Sequence, residues 1–516
     1  MSSGGDPITV PLSGVTCIVG GNNAGKSQLL RDLFLSISTY DTAPVTLSSV
    51  EGERPVATIE ETEDWLESHA VRLPARSGQS QLWTTSQGDS RMSVTDMQRW
   101  FPTGLMQGPL YLGNAAPFFV QHSTAGSLSE YATGIIEPRG GSNAPLSLLF
   151  RDGELEEALS NLIDQTFGIG LVLDRINAEI RLRVGSVAVP VPPVNRPTAE
   201  YADAVAALPT LDAQGDGMRS FVGLALHVLT AASNVFLVDE PEAFLHPGQA
   251  RALGRWLAAE AIRKDVQIIL ATHDRDIVLG LLEAGVNAPV NVVRIARQGN
   301  LSHLSQLAPD EVRAVWDDPV LRYSNVLQGL FHRKVVICES DADCRFYGAA
   351  LNELAVETAR TAHGDDVLFV PSGSKNRVAA LAIALTKLGV EAAAIVDFDV
   401  LRVSADIRGI VQAVGGVWDA QLEDVYKRTI KSDNQAELWA RIKNLGLAGL
   451  APGDPSAAGP VLLELLGAMG IFVVPVGEME DYDRTIALHG AAWVSSALER
   501  DIHQSAPVKA LVESIF

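Results

Sequence analysis

The sequence predicts an α/β protein in which two domains, each built on a parallel sheet, follow one another along the chain. In the first, a short apolar strand, Gly14–Val19, leads into a glycine-rich loop and then into a helical pattern from Gln28. In the second, beginning at Lys334, strand, helix, strand, helix and strand alternate. Such alternation is typical of a parallel sheet whose loops gather at one end.

The length and composition are those of a well-packed protein with more than one domain. The 516 residues exceed what one core usually accommodates, and typical domain sizes suggest roughly three units. Hydrophobic residues make up 47% of the chain and charged residues 20%, which excludes a disordered protein. The formal net charge of -22 excludes a generally basic surface, although a local basic groove would still allow nucleic-acid binding.

The cysteines and the first residues of the chain favour a cytoplasmic location. Cys17, Cys338 and Cys344 form no C-x-x-C pair, which fits a reducing compartment. The N-terminus lacks the basic and apolar regions of a signal peptide, and every run of about twenty apolar residues contains a charge. We therefore expect a soluble cytoplasmic protein that does not contact a membrane.

The glycine-rich loop fits the pattern G-x-x-x-x-G-K-[ST] at every required position. In such a loop the amides at the helix N-terminus point at the phosphates of a nucleoside triphosphate. Lys26 is expected to neutralise the β- and γ-phosphates, and the Ser27 hydroxyl to hold Mg²⁺. The predicted ATP-binding residues of this loop are Gly20, Asn22, Asn23, Ala24, Gly25, Lys26 and Ser27.

The region that follows offers weaker signals. Strands are predicted near Pro44–Ser49 and at Pro109–Gly113, with Gln121 in the loop beyond the second. The amphipathic helix Glu154–Phe167 and the alternating strand Ile180–Val184 suggest a module inserted over about residues 125–205. We interpret this module as a structural or subunit-contact element.

A pair of glycines precedes the apolar helix predicted at Phe221–Ala232. Gly215 and Gly217 could bring backbone amides close to an anion at the helix N-terminus. Many loops contain a G-x-G pattern by chance, so the assignment of an anion site to these glycines depends on the motifs that follow.

Two further strands of the first domain end in polar residues. The buried strand from Asn234 ends in Asp239 and Glu240, where Asp239 would hold Mg²⁺ through water and Glu240 would orient or deprotonate the attacking water. The strand Val266–Ala271 leads to His273, which can reach the γ-phosphate. Taken singly, such residues are usually a solvated turn or a structural histidine, but here they follow a phosphate-binding loop at domain-scale distance.

Carboxylates also follow the strands of the second domain. Glu339 and Asp343 come after its first strand, and Asp397 and Asp399 after its third. The carboxyl ends of neighbouring parallel strands can converge, and oxygen ligands select Mg²⁺ or Mn²⁺. One acidic strand end is usually only solvated, but four together would repel one another without a cation. Two such metals would support phosphodiester hydrolysis.

The motifs of the first domain resemble, in this order, the ABC-type ATPase heads of the RecF, SMC and OLD (overcoming lysogenization defect) group. Asp239–Pro247 is similar to the D-E-P-E-x-x-L-H-P form of stand-alone members, although Gln214 replaces the serine of the usual L-S-G-G-Q signature. The resemblance implies that Gly215 and Gly217 cap ATP held by a second head, hence at least a homodimer. It also implies that Gln121 contacts Mg²⁺, although a lone glutamine can equally be a loop amide.

The pattern E-x-x-x-D followed by D-x-D resembles the Toprim domain of topoisomerases, bacterial primases and OLD nucleases. The glycine that usually follows the first glutamate is Ser340 in this sequence. Val476–Tyr482 is similar to the G-x-x-E element of OLD-type Toprims, which implies that Glu480 completes a second metal position. Lys509 could match the late lysine that stabilises charge at the scissile phosphate, or could be a simple surface lysine.

Together the two domains resemble the OLD family of ATP-dependent nucleases, which includes Gabija and retron-associated phage-defence proteins. The resemblance implies an ATP-regulated DNA endonuclease with two Mg²⁺ or Mn²⁺ ions, acting in anti-phage defence with a companion protein. The expected domains are an ABC-type ATPase over 1–331 and a Toprim-like domain over 332–516, with a helical insertion at about 402–470.

Two alternatives remain. A RecF- or SMC-like DNA-binding or sensor ATPase could carry a degenerate Toprim that recruits a partner. A topoisomerase would need a tyrosine on a separate DNA-gate domain, and a primase usually carries a zinc module. Three scattered cysteines do not fit the zinc module of a primase, and we expect no spare domain for the DNA gate of a topoisomerase.

Overall fold

The computed structural model describes residues 7–39, 44–52, 58–74, 80–85, 90–100, 111–133, 145–176, 180–193, 196–230, 233–284, 289–298, 301–317, 325–359, 366–387 and 389–515. The chain divides into two compact units, Met1–Arg313 and Ala314–Phe516, whereas the composition had predicted a boundary at residue 331. Both units are α/β and contain parallel sheets, which confirms the predicted fold class. Among the described helices, none is long and apolar enough to cross a membrane.

The first unit is organised on a six-stranded sheet in which five strands are parallel and the last forms an antiparallel hairpin. The described strands of the whole first unit are β1 (Gly14–Val19), β2 (Val71–Arg72), β3 (Trp83–Thr84), β4 (Arg91–Met92), β5 (Val120–Thr124), β6 (Leu171–Asp174), β7 (Arg181–Val184), β8 (Val235–Asp239), β9 (Gln267–Ala271), β10 (Val290–Gln298) and β11 (Leu301–Leu307). The order in the large sheet is β11-β10-β1-β9-β8-β5, and β2-β3-β4 and β6-β7 form small antiparallel sheets. Strand β1 is buried along its whole length, as expected for a central parallel strand covered on both faces.

Helices cover this sheet and build the region between β5 and β8. They are α1 (Lys26–Ser38), α2 (Ile59–His69), α3 (Val94–Trp100), α4 (Ala116–Phe119), α5 (Ala125–Thr133), α6 (Pro145–Arg151), α7 (Gly153–Phe167), α8 (Ala199–Ala206), α9 (Asp216–Thr230), α10 (Pro247–Arg263), α11 (Arg275–Ala284) and α12 (Pro309–Asp317). Helices α5 to α8, with β6 and β7, occupy the stretch predicted to be an inserted module.

Helices α5 and α9 touch through a glycine, which gives a testable stability effect. A Cβ atom on Gly223 would lie 1.8 Å from the carbonyl oxygen of Leu128. We expect Gly223→Ala to lower the melting temperature, because such overpacking costs about 1–3 kcal/mol. Gly248→Ala is the matched control, since no described atom lies within 4 Å of its Cβ position. Equal melting temperatures for the two variants would contradict this packing.

Two strands predicted in the first unit differ from the structure for identifiable reasons. The predicted strand at Pro109–Gly113 lies partly outside the described residues, and the Leu112 amide donates to Ile37 at the end of α1 instead of to a strand. Around Thr46 the chain is an irregular loop, because the Asp32 carboxylate accepts its amide and hydroxyl, each at 2.6 Å.

The second unit contains a fully parallel four-stranded sheet, as predicted. Its strands are β12 (Lys334–Cys338), β13 (Val367–Pro371), β14 (Glu391–Val396) and β15 (Ile471–Val473), in the order β13-β12-β14-β15. Its helices are α13 (Asp341–Glu357), α14 (Lys375–Lys387), α15 (Ser404–Ala413), α16 (Ala420–Thr429), α17 (Gln435–Leu445), α18 (Asp454–Gly467), α19 (Gly490–Glu499) and α20 (Ala506–Glu513). Because β12 and β14 are neighbours, the residues that follow them meet at one edge of the sheet.

Candidate functional site

The glycine-rich loop joins β1 to α1 in a conformation that depends on its glycines. Gly25 caps α1 with a φ of 103°, a left-handed conformation that favours glycine. A Cβ atom on Gly20 would lie 2.3 Å from the carbonyl oxygen of Ile295. Asn23 is also left-handed, with a φ of 59°, and Ala24 is buried under the loop. The amides of the first turn of α1 are thereby directed at the space where a phosphate would bind.

Lys26 folds back into this loop. Its side-chain amino group donates to the carbonyl oxygens of Gly20 and Gly21, both at 3.0 Å. Burial lowers the pKa of Lys26, and the carboxylates of Glu240, Glu242 and Asp239 act in the opposite direction. A phosphate entering the loop can therefore replace the two carbonyl oxygens as the hydrogen-bond acceptor of the Lys26 amino group.

The two predicted magnesium ligands of the first unit are in contact. The Ser27 hydroxyl donates to Asp239 Oδ1 at 3.0 Å, although the residues are 212 positions apart. Burial raises the pKa of Asp239, while the hydrogen bond from Ser27 lowers it. A hydroxyl and a carboxylate oxygen side by side have the chemistry that Mg²⁺ requires.

Glu240 and His273 also meet, as their assigned roles require. Glu240 follows β8 with a φ of 49°, and its amide donates to Ala271 at the end of β9. His273 Nδ1 lies 3.3 Å from Glu240 Oε1 and 3.3 Å from Glu242 Oε1. Both Glu240 and His273 are about half exposed, so a ligand in the loop can reach them.

Glu242 is a site residue that the sequence analysis did not single out. Its side chain is only 4% exposed, and its Oε1 accepts hydrogen bonds from the Thr272 hydroxyl and the His273 amide. The available signal was the second glutamate of the D-E-P-E run, which carried no predicted role.

Gln121 is not where the sequence placed it. It lies inside β5 opposite Phe236, whereas Thr124 is the residue opposite Asp239. Since a strand rises about 3.3 Å per residue, Gln121 sits roughly 10 Å before the sheet edge at which the nucleotide residues meet. Its side chain is buried. The predicted loop position is therefore wrong, while the predicted contact with Mg²⁺ and ATP stays a prediction.

The two signature glycines have different surroundings. A Cβ atom on Gly217 would lie 2.4 Å from the carbonyl oxygen of Phe244, in the turn after β8, so Gly217 is needed for packing. No described atom lies within 4 Å of the Cβ position of Gly215. Arg219 is paired with Asp216 on α9. Of the two glycines, therefore, only Gly215 has a backbone that a ligand could approach.

The second unit brings its predicted carboxylates together at the edge formed by β12 and β14. The amide of Asp397 donates to Glu339 Oε1 at 3.3 Å. Burial, together with the charges of Glu339, Asp343, Asp399 and Glu478, raises the pKa of Asp397 to about 9. The cluster is thus an excess of negative charge in a partly buried place.

Lys375 supplies a cation to this cluster. It follows β13 at the start of α14, and its amino group lies 3.1 Å from Asp399 Oδ2. The sequence alone did not single out Lys375 as a site residue. Its contact arises because β13 and β14 flank β12, a strand order that the sequence did not reveal.

Ser340 and Asp343 explain the departure from the expected glycine. Ser340 has a φ of -130°, which any residue adopts, and its hydroxyl accepts from the Asp343 amide to cap α13. Asp343 Oδ2 in turn accepts from the Ser340 amide and hydroxyl, both at 2.8 Å. Burial raises the pKa of Asp343. The predicted metal ligand Asp343 thus also serves as a helix cap.

Glu480 is held by a backbone amide. Its Oε1 accepts from Gly490 at the start of α19, at 3.0 Å. It is close enough to Asp343 for its charge to raise the pKa of that carboxyl. Glu480 therefore borders the cluster while one of its oxygens stabilises a helix N-terminus.

Lys509 lies away from the acidic cluster, which favours its interpretation as a surface lysine over a catalytic role. Its amino group is 2.6 Å from Glu357 Oε1, at the last residue of α13. The acidic cluster lies at the other end of that helix, roughly 24 Å away at 1.5 Å per residue. Lys509 is an ion-paired surface residue.

Among the described residues, no group of three or more His, Cys, Asp or Glu side chains is arranged as a metal site. The cluster at β12 and β14 therefore provides oxygen donors and negative charge without a closed ligand set.

The comparisons with known proteins concern the first unit. The family model "AAA domain, putative AbiEii toxin, Type IV TA system" matches residues 195–279, which include Gly215, Gly217, Asp239, Glu240 and His273. Among curated proteins, none matches the sequence. The matched segment and the geometry around Lys26 indicate a P-loop ATPase fold for the first unit.

Several solved structures are similar to the chain. The SMC head domain from Thermotoga maritima has 16% identity and a TM-score of 0.29, covering 58% of this chain and 92% of that one. An Smc head bound to the C-terminal domain of ScpA, from Pyrococcus furiosus, has 10% identity and a TM-score of 0.32, covering 60% and 94%. CbiO1 from Clostridium perfringens, part of the ABC transporter complex cbiONQ, has 15% identity and a TM-score of 0.28, covering 61% and 83%.

Proposed function

We propose that the chain is a divalent-metal-dependent DNA endonuclease whose cutting is controlled by ATP. The observation that carries this proposal is the group of carboxylates after β12 and β14, Glu339, Asp397 and Asp399, with Lys375 beside Asp399. Burying like charges without a cation is costly, and their oxygens suit Mg²⁺ or Mn²⁺. Metal-dependent enzymes that hydrolyse phosphodiesters hold their metals with hard oxygen ligands of this kind.

We assign different roles to the residues of the second unit. Glu339, Asp397 and Asp399 would hold the metals, with Glu480 at the border of the cluster. Bound metals supply an activated water and stabilise the leaving oxygen. Lys375, whose side chain is partly exposed, would contact a DNA phosphate and takes over the role expected of Lys509. The capping pair of Ser340 and Asp343 keeps the chain after β12 in place.

In the first unit, Ser27 and Asp239 would hold Mg²⁺, Lys26 the phosphates, and Glu240 and His273 the attacking water. The open backbone at Gly215 supports a second copy of the head as the partner that closes the site. We propose a homodimer or larger homo-oligomer, and, on the resemblance to OLD nucleases, a role in anti-phage defence with a companion protein.

Closure of two heads predicts that Glu240→Gln accumulates an ATP-bound dimer. The glutamine keeps the size of the side chain but cannot accept the proton of the attacking water, so ATP remains bound. Light scattering after gel filtration with ATP should show a larger species for Glu240→Gln than for wild type. Lys26→Ala with ATP is the control that should stay at the nucleotide-free mass. An unchanged mass and ATP affinity for Glu240→Gln would argue against head-to-head closure.

The nuclease is tested by plasmid cleavage in Mg²⁺ or Mn²⁺, with and without ATP. Wild type and Lys509→Ala should cut, and Asp397→Asn should not.

A DNA-binding or sensor ATPase is the second candidate. It is favoured by the lack of a closed metal-ligand set among the described side chains and by the engagement of Asp343 in a helix cap. In that case the second unit would recruit a partner. Normal ATP turnover with no cleavage of any DNA substrate in either metal would select this candidate.

A further inference from the structure

Glu242 is a nearly buried carboxylate whose place in the nucleotide site is not explained by metal or phosphate binding. Its Oε1 accepts from the Thr272 hydroxyl at 2.6 Å and from the His273 amide at 3.1 Å. No described residue lies within hydrogen-bonding distance of its Oε2. Burial raises the pKa of this carboxyl. A buried carboxylate with one oxygen unsatisfied costs stability, so its presence calls for a functional reason.

The backbone around Glu242 connects three strands of the large sheet. Its carbonyl oxygen accepts from Leu245 within the turn that follows β8. Its side chain reaches Thr272 at the end of β9, and the Thr272 amide donates to Ile18 in β1. Strand β1 feeds the loop that contains Lys26. Glu242 thus fixes the end of β9 relative to the phosphate-binding loop.

Glu242 also contacts the imidazole of His273 and can therefore orient it. The Nδ1 atom of the imidazole lies 3.3 Å from Glu242 Oε1 and 3.3 Å from Glu240 Oε1. Because Nδ1 is turned toward the two carboxylates, Nε2 is the ring nitrogen that can face a phosphate. Of the two carboxylates, Glu240 is about half exposed and Glu242 is buried, so Glu242 is the rigid one.

We propose that Glu242 is a positioning residue for ATP hydrolysis, which acts through His273. It holds the imidazole beside Glu240, with Nε2 directed at the terminal phosphate of ATP bound at Lys26. The inference rests on the ATPase assignment of the first unit and does not depend on the nuclease.

A double-mutant cycle on phosphate release tests this role. Glu242→Gln keeps an oxygen that can accept from Thr272 and from the His273 amide but removes the charge beside Nδ1. We expect kcat to fall about tenfold or more, with an unchanged KM for ATP, because only the orientation of the imidazole is disturbed. In a His273→Ala background, Glu242→Gln should have no further effect on kcat. An equal loss in both backgrounds, or no loss in the first, would overturn the proposal.

Two controls separate positioning from simple support of the fold. Glu260→Gln changes another buried carboxylate of the first unit, one that is paired with Arg263 on α10, and should leave kcat unchanged. Glu242→Gln should also match wild type in melting temperature. A lowered melting temperature together with a raised KM would assign Glu242 a structural role instead. Absence of DNA cleavage would refute the nuclease alone, whereas absence of phosphate release by wild type would refute the ATPase assignment and this proposal together.

Discussion

Asp397→Asn is expected to abolish metal-dependent DNA cleavage while ATP turnover continues. Asp397 lies at the centre of the acidic cluster, where burial and neighbouring carboxylates raise its pKa to about 9. Asparagine has nearly the same shape but lacks the charge that a divalent cation needs. Since changes to groups that merely support a metal ligand cost about 10- to 100-fold in metal affinity or activity, loss of this ligand should cost at least ~100-fold. Cleavage of supercoiled plasmid in Mg²⁺ or Mn²⁺ measures the effect.

The metal-free stability of the same variant shows whether it is folded. A carboxyl with a raised pKa in the native state keeps its proton there, while the unfolded state releases it. The stability that this proton provides is complete below about pH 4 and is lost as the pH rises toward 9. Asp397→Asn removes this loss, so in EDTA at pH 7 it should melt at or above the temperature of wild type. Added Mn²⁺ should raise the melting temperature of wild type more than that of Asp397→Asn.

Lys509→Ala is the matched control for this comparison. Lys509 contacts Glu357 at the far end of α13, so its removal should leave cleavage unchanged. If Asp397→Asn and wild type cut plasmid equally, the cluster is not the nuclease site. If Lys509→Ala also lost cleavage, its placement outside the site would be contradicted.

The predicted site residues that the structure brings together share one property: each belongs to a local motif that follows a strand. Ser27 and Asp239 could be paired from the sequence because a phosphate-binding loop and an acidic strand end lie at the same edge of a parallel sheet. The proximity of Glu339 and Asp397 followed from the same rule. In these places the local pattern determines the backbone conformation, and the parallel sheet brings the strand ends together at one edge.

The residues that lie elsewhere than expected, or that were not singled out, are single residues without such a motif. Gln121 was assigned relative to a strand predicted eleven residues too early, and the true strand contains it. Lys509 was matched only by its late position in the chain. Lys375 and Glu242 were missed because their roles depend on strand order and on a tertiary hydrogen bond to Thr272. Neither property leaves a periodic signal in the sequence.

Ser340 stands where the Toprim pattern usually has a glycine, and its backbone conformation explains why a serine is tolerated there. Glycine is favoured where φ is positive, but Ser340 is extended and caps α13 through its hydroxyl. A serine in this place stabilises the helix, since side-chain caps contribute about 0.5–2 kcal/mol. Its presence therefore does not indicate a degenerate second unit.

Lys26→Ala is expected to abolish ATP hydrolysis and to leave the second unit intact. Lys26 is the only cation of the phosphate-binding loop, and loss of one group that stabilises developing charge typically lowers kcat by about 10²–10³-fold. Its amino group bonds only to the carbonyl oxygens of Gly20 and Gly21 among the described residues, which water can satisfy, so the fold should tolerate the change. Phosphate release measures turnover, and the Mn²⁺-induced rise in melting temperature measures the second unit.

The cleavage activity of Lys26→Ala then shows the direction of control. If ATP licenses cutting, the variant cuts no DNA whether ATP is present or not. If ATP restrains cutting, the variant cuts as nucleotide-free wild type does and no longer responds to ATP, because linkage allows either sign of coupling between two sites. Normal hydrolysis by Lys26→Ala would show that the nucleotide site is misassigned. A loss of the Mn²⁺ effect would show instead that the substitution damages the second unit, contrary to the contacts of Lys26.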